Sequence, residues 1–83
     1  MRLVYFAWVR ERVGRPEEEV EPPPEVQDVG GLVRWLQGRG EEYEHAFADA
    51  RLVRAAVDRQ HAQADTPIAG AREVAFFPPM TGG

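Results

Sequence analysis

The sequence predicts a two-layer α+β domain: one mixed sheet with one main helix laid across it. Three observations carry that prediction. Leu3 to Val9 is an almost unbroken apolar run, rich in β-branched and aromatic residues, as suits a strand covered on both faces. Val29, Leu32, Val33 and Leu36 fall at i, i+3, i+4 and i+7, which is one face of a helix. Glu73 to Phe77 alternates, with Val74 and Phe76 on one side and Ala75 and Phe77 on the other.

Each element can be justified in turn. Leu3 to Val9 is the first strand, and Arg10 to Gly14 turns the chain. Glu17 to Glu21 is a second strand, so charged that it belongs at a sheet edge, where charge discourages pairing with other molecules. Pro22-Pro23-Pro24 ends it. Asp28 is the N-cap of the main helix, and Gly38 and Gly40 supply its stop. Gly30 and Gly31 weaken the first turn, as a close neighbour there would require. Trp35 lies beside the apolar stripe and should be partly buried. Glu41 to Phe47 forms a short second helix whose early carboxylates face the positive end of the dipole. Leu52 to Val57 is the third strand, Asp58-Arg59-Gln60 a turn, and Thr66 to Gly70 a loop anchored by Ile68. Glu73 to Phe77 is the last strand. If the first and last strands are central neighbours, the chain leaves the sheet from its most rigid part. Residues 1–77 read as the domain and residues 78–83 as an extended, flexible tail.

At 83 residues the chain is one small domain with a modest core, too small for a deep internal cavity. It contains no Cys, Ser or Lys. That excludes a disulfide framework and a thiolate nucleophile, and leaves Thr66 and Thr81 as the hydroxyl nucleophiles other than tyrosine. His45 and His61 have no partner constellation nearby, read as surface residues, and give no metal site. The net charge is −4 and all ten basic residues are scattered arginines, so nucleic acid is not an expected partner. An acidic body suits a partner with a basic docking surface. No segment is long and apolar enough to span a membrane. The opening Met1 to Phe6 reads as a strand rather than a signal peptide, so a cytoplasmic location is expected.

The remaining chemistry lies at the end of the sequence. Phe76-Phe77-Pro78-Pro79-Met80-Thr81-Gly82-Gly83 passes from an apolar strand through two stiff prolines to a Gly-Gly end. Such a tether is thin enough for a narrow slot, and its tip is a carboxylate. Phe76 reads as core. Phe77 reads equally as core packing or as an exposed interface anchor. Pro78 and Pro79 read as strand terminators or as a stiff spacer, and Thr81 as a small tail residue that hydrogen-bonds in a partner's channel. Arg10 and Glu11 read first as solvated charges.

These residues, with Asp65 to Gly70, Tyr5-Phe6-Ala7, Arg10-Glu11 and Gly14, resemble the family of small subunits of molybdopterin synthase. The similarity spans essentially the whole chain, and the Phe-Phe-Pro-Pro-x-Thr-Gly-Gly string is its specific part. The resemblance implies the ubiquitin-like β-grasp fold and a sulfur carrier. In that family an ATP-dependent activating enzyme adenylates the terminal glycine, here Gly83. Sulfur from a donor protein then replaces the adenylate and leaves a thiocarboxylate. No cofactor is bound; the glycyl adenylate and thiocarboxylate are transient. The tail, here Phe77 to Gly82, enters the large subunit of a heterotetramer, where the sulfur passes to a cyclic pyranopterin in molybdenum cofactor biosynthesis. The catalytic pocket belongs to that large subunit. Two departures are visible: Asp58 where Asn is frequent, and Met80 where a β-branched residue is common. A carrier for thiamine or tRNA thiolation, a ubiquitin-like modifier, and a plain interaction domain are the alternatives.

Overall fold

A computed structural model of the protein describes residues 1–79. The elements run β1 (Arg2–Tyr5), α1 (Ala7–Val13), β2 (Glu17–Glu19), α2 (Val29–Gln37), α3 (Glu41–Ala46), a 3-10 turn (Ala50–Leu52), β3 (Arg54–Val57), β4 (Gln60–Ala62) and β5 (Glu73–Phe77). The five strands form one sheet in the order β2-β1-β5-β3-β4. β1 and β5 are the parallel pair, in register Leu3 with Val74 and Tyr5 with Phe76. β3 pairs antiparallel with β5, setting Ala55 opposite Phe76 and Val57 opposite Val74. A parallel central pair with α2 packed on one face is the arrangement of the ubiquitin-like β-grasp.

The core follows from strand alternation. Leu3, Tyr5, Val74, Phe76 and Ala55 share the helix-facing side and are all buried. Against them α2 lays Val29, Leu32 and Leu36. Phe76 sits at the centre, stacked on Tyr5 at 6.2 Å and edge-on to Phe47 at 5.1 Å. Asp28 caps α2 by accepting from the Gly31 N–H at 2.7 Å. The expected close neighbour of Gly30 is Ala64, whose carbonyl accepts the Gly30 N–H at 2.8 Å. A Cβ on Gly30 would lie only 3.2 Å from that oxygen. Ile68 is the buried loop anchor and Trp35 is half-buried, as expected.

The structure corrects three expectations. The first strand stops at Tyr5 rather than Val9, and the expected turn from Arg10 is the second half of α1. Ala7, at φ 52, turns the chain out of the sheet, after which Val9 and Val13 bury a helical face. Gly14 closes α1 in the left-handed region at φ 90, its N–H donating to the Arg10 carbonyl. Secondly, the third strand begins at Arg54, because Ala50 to Leu52 makes a 3-10 turn capped by Asp49. Thirdly, Gln60 belongs to β4 rather than to a turn. The loop holds only Asp58 and Arg59, both at positive φ, as a type I′ hairpin requires. The Asp58 carboxylate accepts the N–H groups of Arg72 and Glu73 and so ties the hairpin to the start of β5.

One charged group reaches the core side. Glu18 pairs with Leu3 across β2 and β1, so its side chain points toward the helices. It is 8% exposed. Its carboxylate accepts from the Tyr5 hydroxyl at 2.7 Å and the Tyr43 hydroxyl at 2.6 Å, and it pairs with Arg39 at 3.2 Å. Burial pushes the Glu18 carboxyl up. The bonds from Tyr43 and Tyr5 and the Arg39 charge outweigh burial and hold it below its usual value. Burial, followed by the bond to Glu18, raises both tyrosines. Among the described residues, no helix is long and apolar enough to cross a membrane.

Three stability predictions arise here. A folded-state carboxyl held below its unfolded value stabilises above that unfolded value, and the contribution is lost as pH falls through the folded one. Glu18→Gln should therefore flatten the acid limb of the stability curve below about pH 4.5. Glu18→Ala should cost about 1–3 kcal/mol at neutral pH, by leaving the buried Tyr5 hydroxyl unpaired. Urea titrations across pH measure both. Arg59→Gly, which removes the penalty for a side chain at φ 70, should stabilise by roughly 0.5–1 kcal/mol in the same assay.

Candidate functional site

The second face of the sheet carries no helix. Along it the register sets Val4 of β1 beside Ala75 of β5, Ala56 of β3 and His61 of β4. Two of these four are alanines, so the centre of this face is low. Taller side chains stand at the end where β5 finishes. Phe6 is 48% exposed, and its N–H donates to the Phe76 carbonyl at 3.0 Å, which places it beside the start of the tail. Phe77 is half-buried and meets the His61 ring edge-on at 5.7 Å. Phe6, Ala56, Ala75, Phe77, Pro78 and Pro79 line an open apolar concavity of about 710 Å³, with Arg59 and Glu73 at its far end. Among the described residues the other exposed large apolar residue, Leu52, lies two residues before Arg54, which pairs with Phe77. Phe6 and Leu52 therefore flank the strand end from which the tail departs.

Of the tail residues read from the sequence, the structure describes three. Phe77 ends β5 on the open face, and Pro78 and Pro79 follow it as part of the concave wall. Met80, Thr81, Gly82 and Gly83 lie outside the described residues. Sequence reasoning missed Phe6, Ala56 and Ala75 as members of this surface and treated His61 as unattached. The alternation in β5 already put Ala75 with Phe77. Phe6 was hidden by the assumption that its strand continued.

The concavity can bind, but it holds little that could react. Its titratable side chains are Arg59 and Glu73, and Glu73 is engaged by Arg2 at 3.1 Å. Among the described residues no group of His, Cys, Asp or Glu could hold a metal ion. The arrangement offers apolar area next to the base of an extended segment, which is the form of a docking face.

Residues 3–83 match the ThiS family. The chain belongs to the ThiS family. It is 35% identical to the molybdopterin synthase sulfur carrier subunit of Escherichia coli strain K12, over all of this chain and 99% of that protein. It is also similar to the structure of a putative molybdopterin converting factor subunit 1 from Pyrococcus furiosus, at 26% identity and a TM-score of 0.71. That match covers 95% of each chain. SAMP1 from Haloferax volcanii shares the fold, with a TM-score of 0.73, 22% identity, and coverage of 100% of this chain and 98% of that one. Together they establish the β-grasp for a chain whose helix α1 and strand β4 were hidden in the sequence.

If the open face is a docking surface rather than part of the core, its aromatic residues should matter little to folding. Phe6→Ala should change stability by no more than about 0.5 kcal/mol, whereas Phe76→Ala, in the core one residue before Phe77, should cost about 3–5 kcal/mol. Equilibrium unfolding of both variants separates the two roles.

Proposed function

We propose that this chain is the sulfur-carrying small subunit of a molybdopterin synthase. The observation that carries the reading is the position of the tail's base. Phe77, Pro78 and Pro79 continue the central strand β5 beside an open apolar face, and the sequence beyond them runs to Gly82-Gly83. Full-length similarity to the Escherichia coli sulfur carrier subunit supports the assignment.

In this reading the Gly83 carboxylate, ionised at neutral pH and a poor acyl donor, is first adenylated. Its oxygen attacks the α-phosphorus of ATP and pyrophosphate leaves. The outer sulfur of a donor protein's persulfide then attacks the acyl carbon and displaces AMP, and a thiol cleaves the resulting acyl disulfide, so that the thiol and the donor sulfur end as a disulfide and the acyl sulfur leaves as a thiocarboxylate. The large subunit receives the tail. Pro78 and Pro79 keep its base extended, while Phe6 and Phe77 press against the partner's surface. Burying the thiocarboxylate beside a cyclic pyranopterin raises its effective concentration and excludes water. The small subunit supplies the sulfur, its delivery and its orientation, and the large subunit supplies the pocket.

The test is to supply the purified protein with ATP, an activating enzyme, a persulfide donor and a thiol reductant, then to read intact mass and fragment the C-terminal peptide. The expected result is sulfur-for-oxygen exchange at Gly83, abolished in a variant lacking Gly83. Fragmentation matters because sulfoxide at Met80 shifts the mass almost equally. A Gly83 that stays unmodified would overturn the reading. A thiocarboxylate that forms but donates nothing to a pyranopterin acceptor with the large subunit would reassign the carrier to another acceptor.

A further inference from the structure

A second groove lies on the helix side, away from the tail's open face. It runs between α2 and the β3–β4 edge of the sheet and encloses about 540 Å³. Its floor is apolar, formed by Val29, Val33, Val53, Ala62 and Phe76. Its rim carries Arg34, Arg51 and Arg54. No acidic residue lines it, in a chain with 14 acidic and 10 basic residues. The concavity on the open face includes Glu73, the groove near the triple proline includes Asp28 and Asp65, and the pocket at Arg72 includes Asp58 and Glu73. Arg51 is engaged by Asp49 at 3.1 Å, whereas Arg34 and Arg54 make no ion pair among the described residues.

We propose that this groove docks an extended acidic peptide segment, carrying an aliphatic anchor, from a partner protein. Charge complementarity selects the segment: an acidic molecule has gathered unpaired arginines around one apolar slot and kept carboxylates out of it. Dimensions fit as well. The groove follows α2 from Gly30 to Gln37, seven steps along the helix and about 10 Å at 1.5 Å per step. That length accepts roughly three residues of extended chain at about 3.3 Å each. β4 is the last strand of the sheet, with no strand on its outer side. An extended segment there meets a strand edge as well as a cationic rim. The site is separate from the tail chemistry and does not depend on the sulfur-carrier reading. It would let a partner hold the body of the protein while the tail and the open face are engaged elsewhere.

The test uses the full-length protein, isotope-labelled for NMR, titrated with the acidic peptide acetyl-Glu-Asp-Val-Leu-Glu-Asp-amide. The expected shifts fall on Val33, Arg34, Arg54, Ala62 and Gln63, and binding weakens as salt is raised. Arg34→Glu with Arg54→Glu should reduce affinity by roughly tenfold or more. Arg34→Gln with Arg54→Gln, which leaves the exposed positions polar, serves as the milder check on folding and should give a smaller loss. The basic peptide acetyl-Lys-Arg-Val-Leu-Arg-Lys-amide should not bind. The proposal is overturned by shifts confined to the Phe6–Phe77 face, by affinity indifferent to the charge reversal, by equal binding of the basic peptide, or by no shifts at all. It is also overturned if sedimentation shows the groove occupied by a second copy of the chain.

Discussion

The structure depends on one pairing, β1 beside β5 in parallel at the centre of the sheet. The two strands come from opposite ends of the sequence, so nothing local holds them together. They are fixed by the side chains they share: Leu3 with Val74 and Tyr5 with Phe76, all buried under α2. A one-residue slip would turn Phe76 out and Phe77 in, exchanging a core ring for one on the open face. The same register places Phe6 beside the exit of the chain, through its bond to the Phe76 carbonyl. Burial on one face therefore determines the layout of the other. The tail starts from the middle of the sheet, where both neighbouring strands hold it, rather than from a fraying edge.

Glu18 shows what that arrangement demands at the margin. β2 is an edge strand of three glutamates, well suited to deter further strands. Its alternation still forces the middle one toward the core. A carboxylate partly withdrawn from water needs partners, and Tyr5, Tyr43 and Arg39 provide them from β1, α3 and the segment between α2 and α3. The group that makes the edge unattractive to strangers thus becomes the point where three parts of the fold meet. Its ionised form is favoured despite burial because every contact donates to it.

Much of this was legible in the residues. The stripe of α2, its Asp28 cap, the charged edge and the alternation of β5 each state one structural preference strongly. Helix α1 was obscured because Leu3 to Val9 satisfies two periods at once. Leu3 and Tyr5 alternate as a strand, then Val9 and Val13 step by four as a helix, and the apolar residues leave no gap between them. Gly14 and the Arg10–Arg12 charges were a helix-stop signal available to be read. β4 could not be read from its own residues, since Gln60, His61 and Ala62 carry no strand pattern. Its partner strand and a two-residue turn define it, and that turn lacks the usual glycine. The base of the tail was legible because two prolines end an apolar strand, and the structure places Pro78 and Pro79 directly after β5. The open face was not, because Phe6, Ala56 and Ala75 become neighbours only once strands distant in sequence are in register.

The two faces of this small sheet meet opposite requirements. The helix side needs large, interlocking side chains, because a domain this size has little core to spare. The open side keeps alanines in the centre, Ala56 and Ala75, with Phe6 and Phe77 raised at the tail end. On the proposed reading the carrier would meet an activating enzyme and a large subunit in turn, and such a face would need to fit without locking. Shallow apolar contact provides that, since affinity depends on how well a few anchors are seated rather than on area alone. On the proposed reading, aromatic anchors near the tail would put the strongest contact where alignment of the chain end matters most. Their placement couples recognition of the body to the direction of the tail through a single rigid strand. A partner that seats Phe6 and Phe77 has, by the same contact, set the line along which Pro78 and Pro79 begin.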